Sequence, residues 1–335
     1  MKSGDRPEFH RLKHMPVRIN TTYKSPFFLF SKDLQTIYPA IFRKVAGVNY
    51  SRERIVTHDE DFLDLDWSLI DSSDQRLVII SHGLEGDSKR PYVLGMVAAL
   101  NKAGFNVLAW NYRGCSGELN KVYRFYHSGE TGDLAFVIDY AVQKGFSSVS
   151  LIGFSVGGNI TLKFLGETGR ARQYVKKAVV FSVPCHLESA SYQLARLRSR
   201  IYMRRFIKSL SRKVREKALL MPDKFDCTPL RSMKTFAEFD NHYTAPMFGY
   251  KDAVEYWTSN SSIFFIHNIR IPTLIINAQN DPFLSSQCFP YKEAEQNDRV
   301  MFEVTREGGH CGFYAHHPEG IYWSEQRALE FLNEK

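Results

Sequence analysis

Cysteine is scarce and long apolar runs are missing from this 335-residue chain. The five cysteines, Cys115, Cys185, Cys227, Cys288 and Cys311, form no CxxC pair and are odd in number. That usage fits free thiols in a reducing compartment and excludes a disulfide framework. The longest apolar stretches, such as Leu77–Ile80 and Thr273–Ile276, are strand-sized, far below the ~20 residues a membrane-spanning helix needs. Met1 to Val17 is dotted with Lys, Arg, Asp and Glu and holds no apolar core of signal-peptide length, so the chain reads as cytoplasmic. Internal repeats and low-complexity segments are also lacking, which excludes a solenoid or a long flexible tail.

What is present is a mixture that folds. Apolar residues make up 44% of the chain and charged residues 24%, enough to bury a core and keep a solvated surface. Short β-branched segments alternate with amphipathic stretches, the pattern of a parallel sheet covered on both faces by crossover helices. Strands are expected at Arg54–Thr57, Phe62–Ser68, Leu77–Ser81, Asn106–Trp110, Ser148–Ile152, Ala178–Ser182, Thr273–Asn277 and Val300–Thr305. Helices are expected at Pro91–Lys102, Gly132–Gln143, Gly157–Leu165 and Tyr322–Leu332. The early strands alternate polar and apolar residues, as antiparallel edge strands do, and the central ones are solidly apolar. The pattern predicts one α/β domain over residues 1–335. Between 185 and 265 it changes to helical periodicity broken by Pro222, Pro229 and Pro246, which predicts a helical insertion between core strands. Residues 1–50 carry the weakest pattern.

Gly153-Phe154-Ser155-Val156-Gly157 follows the apolar run Ser148–Ile152 and leads into a stretch able to form a helix. A serine on so sharp a strand-to-helix turn is held in strained backbone, and small residues on either side are needed because strand and helix pass too close for side chains. Taken alone the five-residue pattern also describes an ordinary glycine-rich turn; its strand-helix context points to a nucleophile. A serine hydroxyl needs an imidazole to take its proton and a carboxylate to steer that imidazole. Of eleven histidines, His310 is the first to follow the last expected strand, in the glycine-rich Glu307-Gly308-Gly309-His310 loop. His10, His14, His58 and His267 fit surface or structural roles. Asp281 leaves the preceding strand, completing the order Ser, Asp, His; a turn-forming Asp before Pro282 is its ordinary alternative, and Glu307 is the weaker candidate acid. Two backbone N–H groups should stabilise the oxyanion: that of Val156, after the nucleophile, and that of Leu84, in His82-Gly83-Leu84-Glu85-Gly86. His82 is then a structural partner within its loop.

With these residues in place, the chain resembles the YheT-like family of α/β-hydrolases and its type-4 AB-hydrolase relatives. Beyond HGLEG, GFSVGGN, DPF and GGHCGF, the likeness includes Asn111-Tyr112-Arg113-Gly114-Cys115-Ser116-Gly117-Glu118 and Tyr126-His127-Ser128-Gly129-Glu130-Thr131. It also takes in the stretch from Glu238-Phe239-Asp240 to Ala253-Val254-Glu255-Tyr256. The resemblance implies an α/β-hydrolase fold with a helical lid, no metal or organic cofactor, hydrolysis of carboxylic esters, and Ser155, Asp281 and His310 as the triad. It does not choose among short acyl esters and glycerolipids.

The net charge of +8 gathers in the insertion. Leu194, Leu197, Ile201, Ile207, Leu210 and Val214 recur at helical spacing, and Arg196, Arg198, Arg200, Arg204, Arg205, Lys208, Arg212, Lys213, Arg215 and Lys217 surround them. Such a helix can lie on an anionic membrane or steer an anionic substrate; a solvated lid face is the reading the charge pattern favours. No nucleic-acid reader motif accompanies it. The expected partner is a small acyl ester. An acyltransferase using the same serine, and a non-catalytic ligand-binding module on the same fold, stand as alternatives.

Overall fold

The computed structural model describes residues 16–20, 23–70, 75–167, 169 and 171–334. The leader reading of Met1–Val17 falls mostly outside the described residues, as do His10 and His14. Among the described residues nine strands form one sheet: β1 (Val17–Asn20), β2 (Ser51–Val56), β3 (Phe62–Ser68), β4 (Arg76–Ser81), β5 (Asn106–Asn111), β6 (Ser148–Phe154), β7 (Val175–Phe181), β8 (Thr273–Ala278) and β9 (Val300–Thr305). Their order is β1-β9-β8-β7-β6-β4-β5-β3-β2. β2 and β3 pair antiparallel, β3 meets β5 antiparallel, and the other neighbours run parallel.

The eleven helices are α1 (Lys32–Phe42), α2 (Pro91–Lys102), α3 (Thr131–Gln143), α4 (Val156–Gly166), α5 (Leu187–Ala195), α6 (Arg200–Leu220), α7 (Phe236–Phe239), α8 (Ala245–Met247), α9 (Ala253–Asn260), α10 (Tyr291–Glu295) and α11 (Trp323–Asn333) among the described residues. Successive side chains of a strand point to opposite faces, and here each face has its own core. Leu77 and Ile79 of β4 join Leu134 and Val137 of α3 and Ile160 of α4. Val78 and Ile80 join Val93 and Met96 of α2 and Phe331 of α11. Each such side chain, fully out of water, contributes roughly 1.5–3 kcal/mol, so the centre of the sheet is the rigid platform for whatever leaves its C-terminal edge.

β3 departs from the alternating exposure its sequence predicts: all seven of its residues are buried. The reason is charge pairing. Arg54 covers Asp64 through two bonds of 2.7 and 2.9 Å, and Arg52 covers Asp66 through two of 2.7 Å. Asp66 also accepts from Ser88, which ties this edge to the loop after β4.

α5 to α9 lie between β7 and β8. The single apolar stripe predicted for the first insertion helix is broken there. α5 ends at Ala195, and a 3-10 turn at Leu197–Ser199 resets the helical phase. Ser199 turns inward, donating its hydroxyl to the Pro282 carbonyl at 3.2 Å, so Leu197 and Ile201 face outward at 80% and 66% exposure. The charged face is corrected too. Lys213 and Lys217 point inside. Lys213 pairs with Glu85 at 2.8 Å; Lys217 donates to the Asn120 carbonyl, and burial pushes its ammonium down to about 8.

Candidate active site

Ser155 sits between β6 and α4 with φ 55° and ψ −121°, a left-handed conformation that costs a side-chain-bearing residue about 1–2 kcal/mol. Two main-chain bonds hold it: its N–H donates to the Phe181 carbonyl at 2.8 Å, and its own carbonyl accepts from Asn159 at 3.1 Å. The flanking glycines are obligatory for space. A Cβ on Gly157 would fall 2.3 Å from the Ser81 oxygen, and one on Gly153 would fall 2.6 Å from the Gly157 oxygen. Crowding by backbone, which cannot move aside, is what the sequence pattern records.

His310 arrives from the loop after β9, and its Nε2 lies 2.9 Å from Ser155 Oγ. Nδ1 donates to Asp281, 2.9 Å from Oδ2 and 3.1 Å from Oδ1, which leaves Nε2 free to accept the serine proton. Asp281 also accepts the Phe283 N–H at 2.8 Å, and the Phe283 ring stacks on the His310 imidazole with centroids 3.9 Å apart. Burial disfavours a charged imidazole, but the adjacent Asp281 carboxylate outweighs it and raises His310 above its usual 6.5. The three residues therefore form one continuous hydrogen-bonded chain. Glu307, the alternative acid, is turned away and accepts the Ser25 N–H at 3.2 Å.

Gly83 lets the loop after β4 approach the serine, since a Cβ there would stand 3.2 Å from Ser155 Cβ. Tyr92 accepts the Gly83 N–H at 2.9 Å. Leu84 and Val156 line one cavity with Ser155 and His310, and among the described residues neither backbone N–H has a backbone acceptor. His82 stays in its loop: Nδ1 lies 2.8 Å from the Gly83 carbonyl, Nε2 accepts the Tyr112 N–H, and burial holds it neutral at about 3.

Sequence reasoning missed what braces this arrangement. α1 lies in the stretch whose pattern predicts least, yet its Gln35 accepts the Gly308 N–H at 2.9 Å and the Asn280 amide at 2.8 Å. Thr36 Oγ1 accepts the His310 N–H at 3.0 Å. Glu85 accepts from Ser209 Oγ at 2.6 Å and from Lys213, both on α6, and from the Tyr126 hydroxyl. Asn159, in the helix after Ser155, donates to the carbonyls of Ser128 and Asn260 and accepts from Ser262. The GFSVGGN and YHSGET motifs are thus joined by one side chain, which gives both a packing role.

Two cavities meet at Ser155. One, of about 100 Å³, reaches the inserted helices α5, α6, α7 and α9 and is lined mainly by apolar side chains including Leu194, Leu210, Phe239 and Trp257. The other, of about 170 Å³, opens between α1 and α6 and includes Arg90 and Arg205. Asp240 lies at the wall of the first; burial pushes its carboxyl up to about 6, although Thr244 and Trp257 donate to it. Among the described residues no cluster of His, Cys, Asp and Glu could hold a metal ion, and no helix is long and apolar enough to cross a membrane.

A strained serine between a parallel strand and a helix, with an imidazole within hydrogen-bonding reach from the far side of the sheet, is the arrangement shared by the α/β-hydrolase class. The chain belongs to that family, matching the alpha/beta hydrolase fold over residues 76–316 and aligning along most of its length with YheT of Escherichia coli (strain K12). Identity to YheT, whose name assigns it to the esterases, is 35% over 308 residues, 89% of each chain. Phospholipase ABHD3 of Mus musculus is 30% identical over 93% of this chain and 77% of its own. Among solved structures, the esterase Pf2001 of Pyrococcus furiosus shares the fold with a TM-score of 0.55 at 18% identity, covering 85% of this chain and 90% of its own.

Proposed function

We propose that this ester-cleaving α/β-hydrolase acts on short-chain carboxylic esters through an acyl-enzyme on Ser155, with His310 as general base and acid and Asp281 orienting it. The observation that carries the reading is the unbroken chain Asp281–His310–Ser155 opening onto an apolar cavity. His310 Nε2 takes the serine proton as Oγ attacks the ester carbonyl. The oxyanion lies against the N–H groups of Leu84 and Val156, each contributing roughly 3 kcal/mol in such sites. The tetrahedral adduct collapses, His310 returns the proton to the departing alcohol, and water activated by His310 then releases the acid.

Cavity size argues for a small acyl group. An apolar cavity of roughly 150 Å³ holds one benzene, and the space under the lid is about 100 Å³. The roomier cavity between α1 and α6 takes the alcohol portion, which frees that side of the ester to vary. The esterase and phospholipase names of the relatives support ester chemistry. Five free thiols support a reducing compartment, the cytoplasm, as its place.

A panel of p-nitrophenyl esters of increasing acyl length tests the reading. Turnover should peak at short chains and vanish in Ser155→Ala. A peak at long chains would overturn the acyl assignment, and unchanged turnover in Ser155→Ala would overturn the mechanism. Added alcohols that divert the acyl group faster than water would make the enzyme a transferase.

A further inference from the structure

α1 packs Ile37 inward but turns most of its other apolar side chains outward. Its buried side chains are Gln35 and Pro39, while Leu34, Ile41 and Phe42 are 36%, 65% and 62% exposed. A helix on a water-facing surface places its apolar stripe toward the core, the reverse of this. Phe27 and Phe30, just ahead of it, are 92% and 81% exposed. On the α6 side, Leu197 and Ile201 also turn outward. Both edges belong to one rim. The Tyr202 hydroxyl donates to Asp33 at 2.8 Å, joining the first turns of α6 and α1, and both helices line the cavity that opens beside Ser155.

The rim is also strongly cationic. Arg196, Arg198, Arg200, Arg204, Arg205 and Lys208 are all exposed. Among the described residues none of the six has an ion-pair partner; the ion pairs of α6 come later, at Arg212 with Glu216 and Lys213 with Glu85. We infer that this rim docks on an anionic lipid bilayer. Phe27, Phe30, Phe42, Leu197 and Ile201 enter the headgroup layer, and the surrounding arginines meet the lipid phosphates. Charge selects this occupant over a second copy of the chain, because a two-fold pairing would set two like-charged rims against each other. Docking turns the cavity mouth toward the membrane, so that a lipid-soluble ester reaches Ser155 without crossing water. The surface is independent of catalysis and is tested on the Ser155→Ala protein.

The experiment is co-sedimentation of the full chain with vesicles of equal parts phosphatidylcholine and phosphatidylglycerol, against vesicles of phosphatidylcholine alone. The anionic vesicles should bind it at least tenfold more tightly, and added salt should release it. Phe30→Ser with Phe42→Ser, or Leu197→Ser with Ile201→Ser, should weaken binding about tenfold, and Arg198→Gln with Arg200→Gln and Arg204→Gln roughly 100-fold. In the Ser155 background these variants should hydrolyse a water-soluble p-nitrophenyl ester at the parental rate, which separates lost docking from lost folding. Equal sedimentation with both vesicle types overturns the proposal, as does binding unaffected by all three variant sets. A lipid-free dimer that the serine substitutions dissolve would assign the rim to a second copy and also overturn it.

Discussion

Gln35→Ala tests whether α1 positions the catalytic loops. Gln35 is 2% exposed and makes three bonds: its amide donates to the Leu29 carbonyl at 2.8 Å, and its carbonyl accepts from Gly308 and Asn280. Asn280 adjoins Asp281 and in turn accepts the Gly309 N–H at 3.0 Å, so one side chain holds both loops of the proposed triad. Alanine removes all three bonds and strands buried partners. At about 1 kcal/mol for each bond, the loss is about 3 kcal/mol. With an unfolding entropy of roughly 2.1 cal/mol/K per residue over a chain of this length, Tm falls by about 4 °C. The effect on rate should be larger in proportion, because an ångström of displacement at His310 is worth up to ~100-fold. kcat should drop 10- to 100-fold with KM little changed. Gln35→Glu keeps an acceptor oxygen for Gly308 and Asn280, so it should recover part of kcat while moving the acid limb of the pH profile upward. A Gln35→Ala enzyme with wild-type kcat and Tm within about 1 °C would refute the bracing argument.

In the proposed mechanism His310 must be neutral to accept the serine proton, and its raised pKa then places the acid limb of kcat/KM above pH 6.5. Asp281→Asn leaves burial as the dominant influence, so the limb should move below 6.5 and kcat fall roughly 10⁴-fold, read from the pH–rate profile. Gly157→Ala sets a Cβ against the fixed oxygens of Ser81 and His82, 2.3 and 2.5 Å away, and should abolish activity and lower Tm by several degrees. Asp240, with its carboxyl raised to about 6 by burial, holds its proton in the native state between about 3.8 and 6, where the unfolded chain has lost it. That contribution to stability therefore declines as pH rises through the interval, by roughly 3 kcal/mol at 1.36 kcal/mol per unit. Asp240→Asn should then raise Tm at pH 8 and leave it near wild type at pH 4, as followed by thermal melts.

The central sheet and the strained turn at Ser155 were legible because their causes are local. β4 and β6 to β9 are rich in β-branched residues, and the crowding around Gly153 and Gly157 leaves a pattern within five positions. The order of Ser155, Asp281 and His310 follows from where parallel strands end. α1 was not legible because its periodicity is inverted: Gln35 faces in for the sake of the His310 loop, Pro39 interrupts the helix interior, and the apolar stripe faces out. β1 was missed because four residues paired to β9 carry too little pattern. In the insertion between β7 and β8, the outward turn of Leu197 and Ile201 depends on Ser199 reaching Pro282, and the burial of Lys213 depends on Glu85. Contacts that distant in sequence leave no periodic trace.

The most direct measurement is labelling by a fluorophosphonate, followed by mass mapping of the modified peptide. The account predicts stoichiometric modification of Ser155, loss of ester hydrolysis in step with labelling, and neither event in Ser155→Ala. Labelling at another serine, or a Ser155→Ala protein that hydrolyses esters at the wild-type rate, would contradict it.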